Sequence, residues 1–123
     1  MEKSNEPKRF ALNMSAAQFV KFYIMFLLTT RITMYSEQFK KEFKTLGGQW
    51  SPAPSTLLNT LAQMTEDGFL TREVHIKGKR QRLYLYQLTH AGKEEFDVLK
   101  KKYYNIFDEQ RNILEKVMKQ VYK

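Results

Sequence analysis

Apolar residues first recur at helical spacing near the start of the chain. Phe19, Phe22, Tyr23, Phe26 and Leu27 fall on one side of a 3.6-residue turn. Ser15 stands as an N-cap with Gln18 three residues on, the capping-box pattern in which each side chain meets an orphan backbone N–H. The spacing predicts a first helix over about residues 16–29. "RITMY", residues 31 to 35, is β-branched or aromatic in part and reads as a small edge strand. Ser36 is then placed as the cap of a second helix, with Glu37 in its positive first turn. Phe39 and Phe43 share one face of that helix, and Gly47-Gly48 stops it.

"WSPAPSTLLNTLAQMTEDGFL" follows, residues 50 to 70. Ser51 fits an N-cap with Pro52 at the first helical position, where a missing N–H costs nothing. Leu57, Leu58, Leu61 and Met64 form the apolar stripe, and Asp67-Gly68 ends the helix. "FLTREVHI" and "RLYLYQL" are β-prone runs joined through "KGKRQ", a hairpin with a basic tip turning at Gly78.

Thr89 caps a last helix that runs to about residue 122, on the order of 50 Å long. Its apolar positions are Phe96, Leu99, Tyr103, Ile106, Ile113 and Val117, with Gln110 in the one polar place. That is a heptad seam, widened by Phe107, Leu114 and Val121. The helix is too long to be covered by so small a domain. Its start, around Phe96 and Leu99, is expected to pack at home and its later part to pair with a second copy. The expected dimer interface is Leu99, Tyr103, Ile106, Gln110, Ile113 and Val117.

The order helix, short strand, helix, helix, hairpin, long helix is a helix-turn-helix followed by a β-wing. The fold class is α+β, mostly helical: a winged helix-turn-helix with a long C-terminal dimerisation helix. Three segments are expected: a flexible basic arm over 1–14, a winged-helix DNA-binding domain over 15–89 and the dimerisation helix over 90–123.

Charge sharpens this picture. The 123 residues carry 21 Lys and Arg against 13 Asp and Glu, a net charge of +8, which points to a polyanionic partner. The third helix turns Ser55, Thr56, Asn59 and Gln63 away from its stripe. Short hydrogen-bonding side chains let a helix approach base edges, and Asn or Gln pairs bidentately with adenine. The wing adds Lys77, Lys79, Arg80 and Arg82 with no acid among them. Together with Ser51, Lys40 and Lys41 these are the candidate phosphate contacts.

Other chemistries find little support. There is no Cys, which removes disulfides, thiol catalysis and Cys-ligated zinc. His75 and His90 have no evident ligand set around them, so no metal is expected. No nucleophile-base pair or phosphate loop is visible, and no enzyme activity or cofactor is expected. Nothing identifies a small-molecule effector, and Trp50 is assigned to packing. No signal-peptide pattern opens the chain. Its most apolar run, residues 19 to 28, falls short of the roughly 20 residues that span a bilayer, so a cytoplasmic protein without membrane attachment is expected.

The span from 50 to 92 resembles the PadR-like winged-helix regulators. The matching residues are Trp50, Ser51 and Pro52; Glu66, Asp67, Gly68, Phe69 and Leu70; Gly78, Lys79 and Arg80; and Leu88, Thr89 and Gly92. "YQLTHAGKEEF" is similar to that family's junction between wing strand and dimer helix. One place departs: the family usually has Tyr-Pro in its recognition helix, and here Leu58-Asn59 stand there. The role of that Tyr is therefore not carried over. The chain length, the single C-terminal helix and "MYSEQFKKEFKTLG" also look like the bacterial replication terminator proteins, relatives of the same fold. The resemblance implies a homodimer on an inverted-repeat site in double-stranded DNA.

The expectation is thus a sequence-specific DNA-binding homodimer acting as a transcriptional repressor. The alternatives are a replication terminator or plasmid-maintenance protein using the same surface, and a protein-interaction module that binds no DNA.

Overall fold

The computed structural model describes residues 14–123 except Gln49. The arm expected over 1–14 lies outside the described residues, save Met14, which is buried against the core.

Helix α1 spans Ala16–Arg31 and carries the capping box as expected: the Gln18 N–H donates to Ser15 Oγ (3.1 Å) and the Ser15 N–H to Gln18 Oε1 (2.8 Å). It ends at Ile32, whose φ of 68° is a conformation that β-branched residues avoid. Strand β1 is Thr33–Tyr35, and α2 is Ser36–Lys44. Ser36 is the first helical residue rather than the cap. Tyr35 takes the cap position, its N–H bonded to Gln38 Oε1 at 2.7 Å.

Helix α3 is Pro54–Glu66, capped by Ala53, so the start assigned to Ser51 and Pro52 moves on by two residues. The cause is steric. A helix with Pro52 at its first position needs Ala53 in the α region, and the ring of Pro54 forbids that to the residue before it. Ala53 is extended (ψ 143°), and Pro54 becomes the first helical residue.

Strands β2 (Leu70–Lys77) and β3 (Gln81–Leu88) form the wing, and α4 is His90–Val121. The sheet is antiparallel in the order β1-β3-β2, with β1 at one edge as expected. β1 pairs only from Thr33↔Gln87 to Tyr35↔Leu85, while the β2–β3 ladder continues to Lys77↔Gln81. Beyond Glu73 the hairpin is therefore two-stranded, projecting roughly 13 Å past the third strand.

One core joins these elements. Val20, Ile24 and Met25 of α1 meet Phe39 and Phe43 of α2, Leu57, Leu61 and Met64 of α3, and Tyr86 of β3. The first half of α4 adds Phe96, Leu99 and Tyr103. Lys21 ties α1 to α4 by an ion pair to Glu95 (3.0 Å), with its Nζ 4.8 Å from the Phe69 ring centre. Burial pushes the Tyr103 phenol above its ordinary pKa, and the nearby Glu95 carboxylate adds to the shift.

The turn from wing to α4 is tight. Thr89 Oγ1 donates to the Gly68 carbonyl (2.6 Å) and accepts from the Gly92 N–H (3.0 Å), and the Thr89 N–H reaches the Phe69 carbonyl (3.0 Å). Gly92 is buried here. A Cβ on it would lie 2.3 Å from the Phe69 carbonyl oxygen and 2.7 Å from Leu88 Cδ1. Gly92→Ala is accordingly expected to destabilise the fold by about 1–3 kcal/mol despite the better helix propensity of Ala. That lowers the melting temperature by roughly 5–15 °C in a calorimetric or circular-dichroism melt. An unchanged melt would show that the backbones do not approach as closely as described.

Candidate nucleic-acid interface

The geometry of α3 follows from which side is covered. Leu57, Thr60, Leu61 and Met64 are buried. Thr60 stands where Leu58 was expected. Its hydroxyl donates to the Thr56 carbonyl (2.7 Å), which lets a polar side chain enter the core, while Leu58 is 49% exposed. The outward face carries Ser55, Leu58, Asn59, Ala62, Gln63 and Glu66, all exposed, with Thr56 half-buried at its margin. Gln63 donates to Asp67 Oδ1 (2.9 Å), and Asn59 and Gln63 border a shallow groove against Ala17, Gln18 and Lys21 of α1. No Lys or Arg lies on α3, so any grip on phosphate must come from its neighbours.

Two neighbouring elements carry cations. Lys77, Lys79, Arg80 and Arg82 are all exposed around the tip of the wing, where Gly78 turns the chain at φ 68°. None of the four pairs with a carboxylate among the described residues. On the other side, Lys40, Lys44, Ser51, Pro52 and Pro54 line a second hollow between α2 and the start of α3. Lys41 is exposed, whereas Lys40 is half-buried and paired with Glu37 at 3.2 Å, which offsets part of its charge.

Sequence reasoning passed over Arg72, which lies on the same face of the wing as Tyr84 with its guanidinium 4.7 Å from that ring centre. It also passed over the Tyr35–His75–Glu73 chain, in which the His75 ring bonds Tyr35 Oη (3.3 Å) and Glu73 Oε1 (2.9 Å). A period-two reading of β2 against β3 could have found the first; nothing local signals the second. Among the described residues no cluster of three or more His, Asp or Glu is arranged to hold a metal ion. Trp50 is 45% exposed and packs edge-on against Phe19 and Phe43.

The expected dimer surface divides in two. Leu99 and Tyr103 are 7% and 5% exposed and packed in the chain's own core. Ile106 and Phe107 pack against that core from its edge. Past Gln110 the helix leaves the domain, and Ile113, Leu114, Val117, Met118 and Val121 are between 37% and 64% exposed. Gln110 Oε1 is itself buried without a hydrogen-bond partner among the described residues. No helix of the described residues is long and apolar enough to cross a membrane.

A family model described as "Replication terminator protein" matches residues 10–122, nearly the whole chain. The chain belongs to the replication terminator protein family. No curated protein matches it significantly. Its fold is shared with the PadR regulators. PadR of Bacillus subtilis, solved in complex with operator DNA, superimposes with a TM-score of 0.59 at 28% identity, covering 66% of this chain and 46% of that one. The chain thus spans just under half the length of that PadR. A PadR-like transcription factor from Bacteroides fragilis gives a TM-score of 0.64 at 18% identity, over 79% of this chain and 91% of its own. A PadR family transcription regulator from Clostridium difficile gives 0.58 at 17%, over 85% and 99%. At such identities these last two likenesses establish the winged-helix fold.

Proposed function

We propose that this protein is a sequence-specific double-stranded DNA-binding homodimer. The observation that carries the reading is the placement of an exposed, cation-free, mostly polar face on α3 beside a projecting wing whose four cations have no carboxylate partners among the described residues. Base reading and phosphate grip are then divided between two elements. Ser55, Thr56, Asn59 and Gln63 read base edges from α3. Lys77, Lys79, Arg80 and Arg82 grip phosphates from the wing, helped by Ser51, Lys40 and Lys41 near the start of α3. The exposed second half of α4, with Ile113 and Val117 at its centre, pairs two copies. A two-fold dimer presents its two reading helices about one DNA turn apart, roughly 34 Å, on an inverted repeat. The operator complex of the Bacillus subtilis relative supports DNA as the partner.

As a regulator the dimer acts by occlusion, repressing transcription where its site overlaps a promoter. A second reading is replication termination, favoured by the family model that covers residues 10–122. Fluorescence anisotropy with random duplex DNA across a salt series tests the shared core of both readings. Affinity should fall linearly on a log–log plot, and no binding at low ionic strength would refute DNA recognition. Selection of bound fragments from the source genome separates the roles. Sites at promoters support repression, whereas sites confined to the replication terminus support termination.

A further inference from the structure

On the outward face of α3, Leu58 is a large apolar side chain at a position where every neighbour but one is polar or charged. Ser55 lies one turn before it, Asn59 beside it and Ala62 one turn after. Leu58 is 49% exposed and outside the core cluster, so the fold gives it no packing task. A single exposed Leu is ordinary on most surfaces. It is not neutral here if α3 enters the major groove, because that face is then stripped of water against base edges. A Leu opposite guanine acceptors or the cytosine amino group leaves those groups without partners. The one apolar group that the groove offers is the C5-methyl of thymine. Ala62, the other apolar side chain on this face, adds a second small contact surface one turn on.

We infer that Leu58, flanked by Ala62, reads the C5-methyl group of one thymine in each half-site. The inference rests on the DNA reading above and deepens it: Asn59 and its polar neighbours select by hydrogen bonds, and Leu58 selects by an apolar contact.

The test replaces thymine by uracil, one position at a time, in a duplex carrying the selected site. This removes the methyl group and leaves the pairing edge intact. For the wild-type protein, each such replacement should weaken binding about three- to fivefold, the value of one buried methyl-sized contact, and so about 10- to 25-fold when made in both half-sites. Leu58→Ala should bind the thymine duplex more weakly by a similar factor and lose the thymine–uracil difference at that position alone. Its thermal melt should match wild type, since the residue is outside the core. Wild-type binding with no methyl dependence at any position, or a dependence that Leu58→Ala retains, would overturn the inference and leave DNA recognition standing. Absence of wild-type DNA binding would remove both.

Discussion

Ile113→Asp combined with Val117→Asp is expected to leave a folded monomer with little affinity for its DNA site. Both side chains are exposed on the single chain, at 37% and 42%, so the charges cost its own core nothing. In a paired seam they are another matter. Each dimer would bury four carboxylates with no cation assigned to meet them, and an uncompensated buried charge costs several kcal/mol. Sedimentation should move from the mass of two chains to that of one, with the melting transition retained. The DNA consequence follows from linkage: a second half-site bound through the same molecule typically gains 10²–10⁴ in affinity. The double variant should therefore bind a two-half-site duplex at least about a hundredfold more weakly, and a single half-site about as well as before. An unchanged mass would remove the seam from α4.

Replacing Lys79, Arg80 and Arg82 together with Ala should weaken binding to all duplexes alike. Each phosphate contact releases condensed counterions, worth about 0.9 in the slope of log affinity against log salt. Three lost contacts per subunit reduce that slope by about 5 in the dimer. At about 0.1 M salt the loss should reach a hundredfold or more, for random and selected sequences in equal measure. The fold should be untouched, since all three side chains are exposed beyond the three-stranded part of the sheet. A loss confined to the selected site would mean that the wing reads bases.

Much of this architecture is legible in the sequence because local signals agree. Ser15 with Gln18, Thr89, Gly68 and Gly78 each end or turn an element through chemistry that acts within four residues. Four things escape such reading, for separate reasons. The start of α3 depends on a proline constraint passed backwards from Pro54 to Ala53, while Ser51-Pro52 offers an equally good local pattern. Thr60 takes the place in the core where Leu58 was expected. Hydrophobicity alone ranks Leu above Thr, and only the bond to the Thr56 carbonyl lets Thr60 inside. Tyr103 shares the seam's heptad spacing with Ile113 and Val117 yet is buried in the chain's own core, and the sequence has no mark for where the domain's flank ends. The backbone turn at Ile32 has no local signal either, since Gly or Asn would be the usual residue at a positive φ.

The basic wing tip has a consequence for proteolysis. Gly78, Lys79 and Arg80 form an exposed turn between two strands that lie outside the sheet's shelter, the kind of tip at which proteases nick folded chains first. Trypsin cutting after Lys79 or Arg80 leaves α1, α2, α3 and β2 on one fragment, and β3 with α4 on the other. The core spans both fragments, so they stay associated after the cut. Under the proposed function, a cut at this tip separates the helix proposed to read from the helix proposed to pair, and bound DNA is expected to slow it.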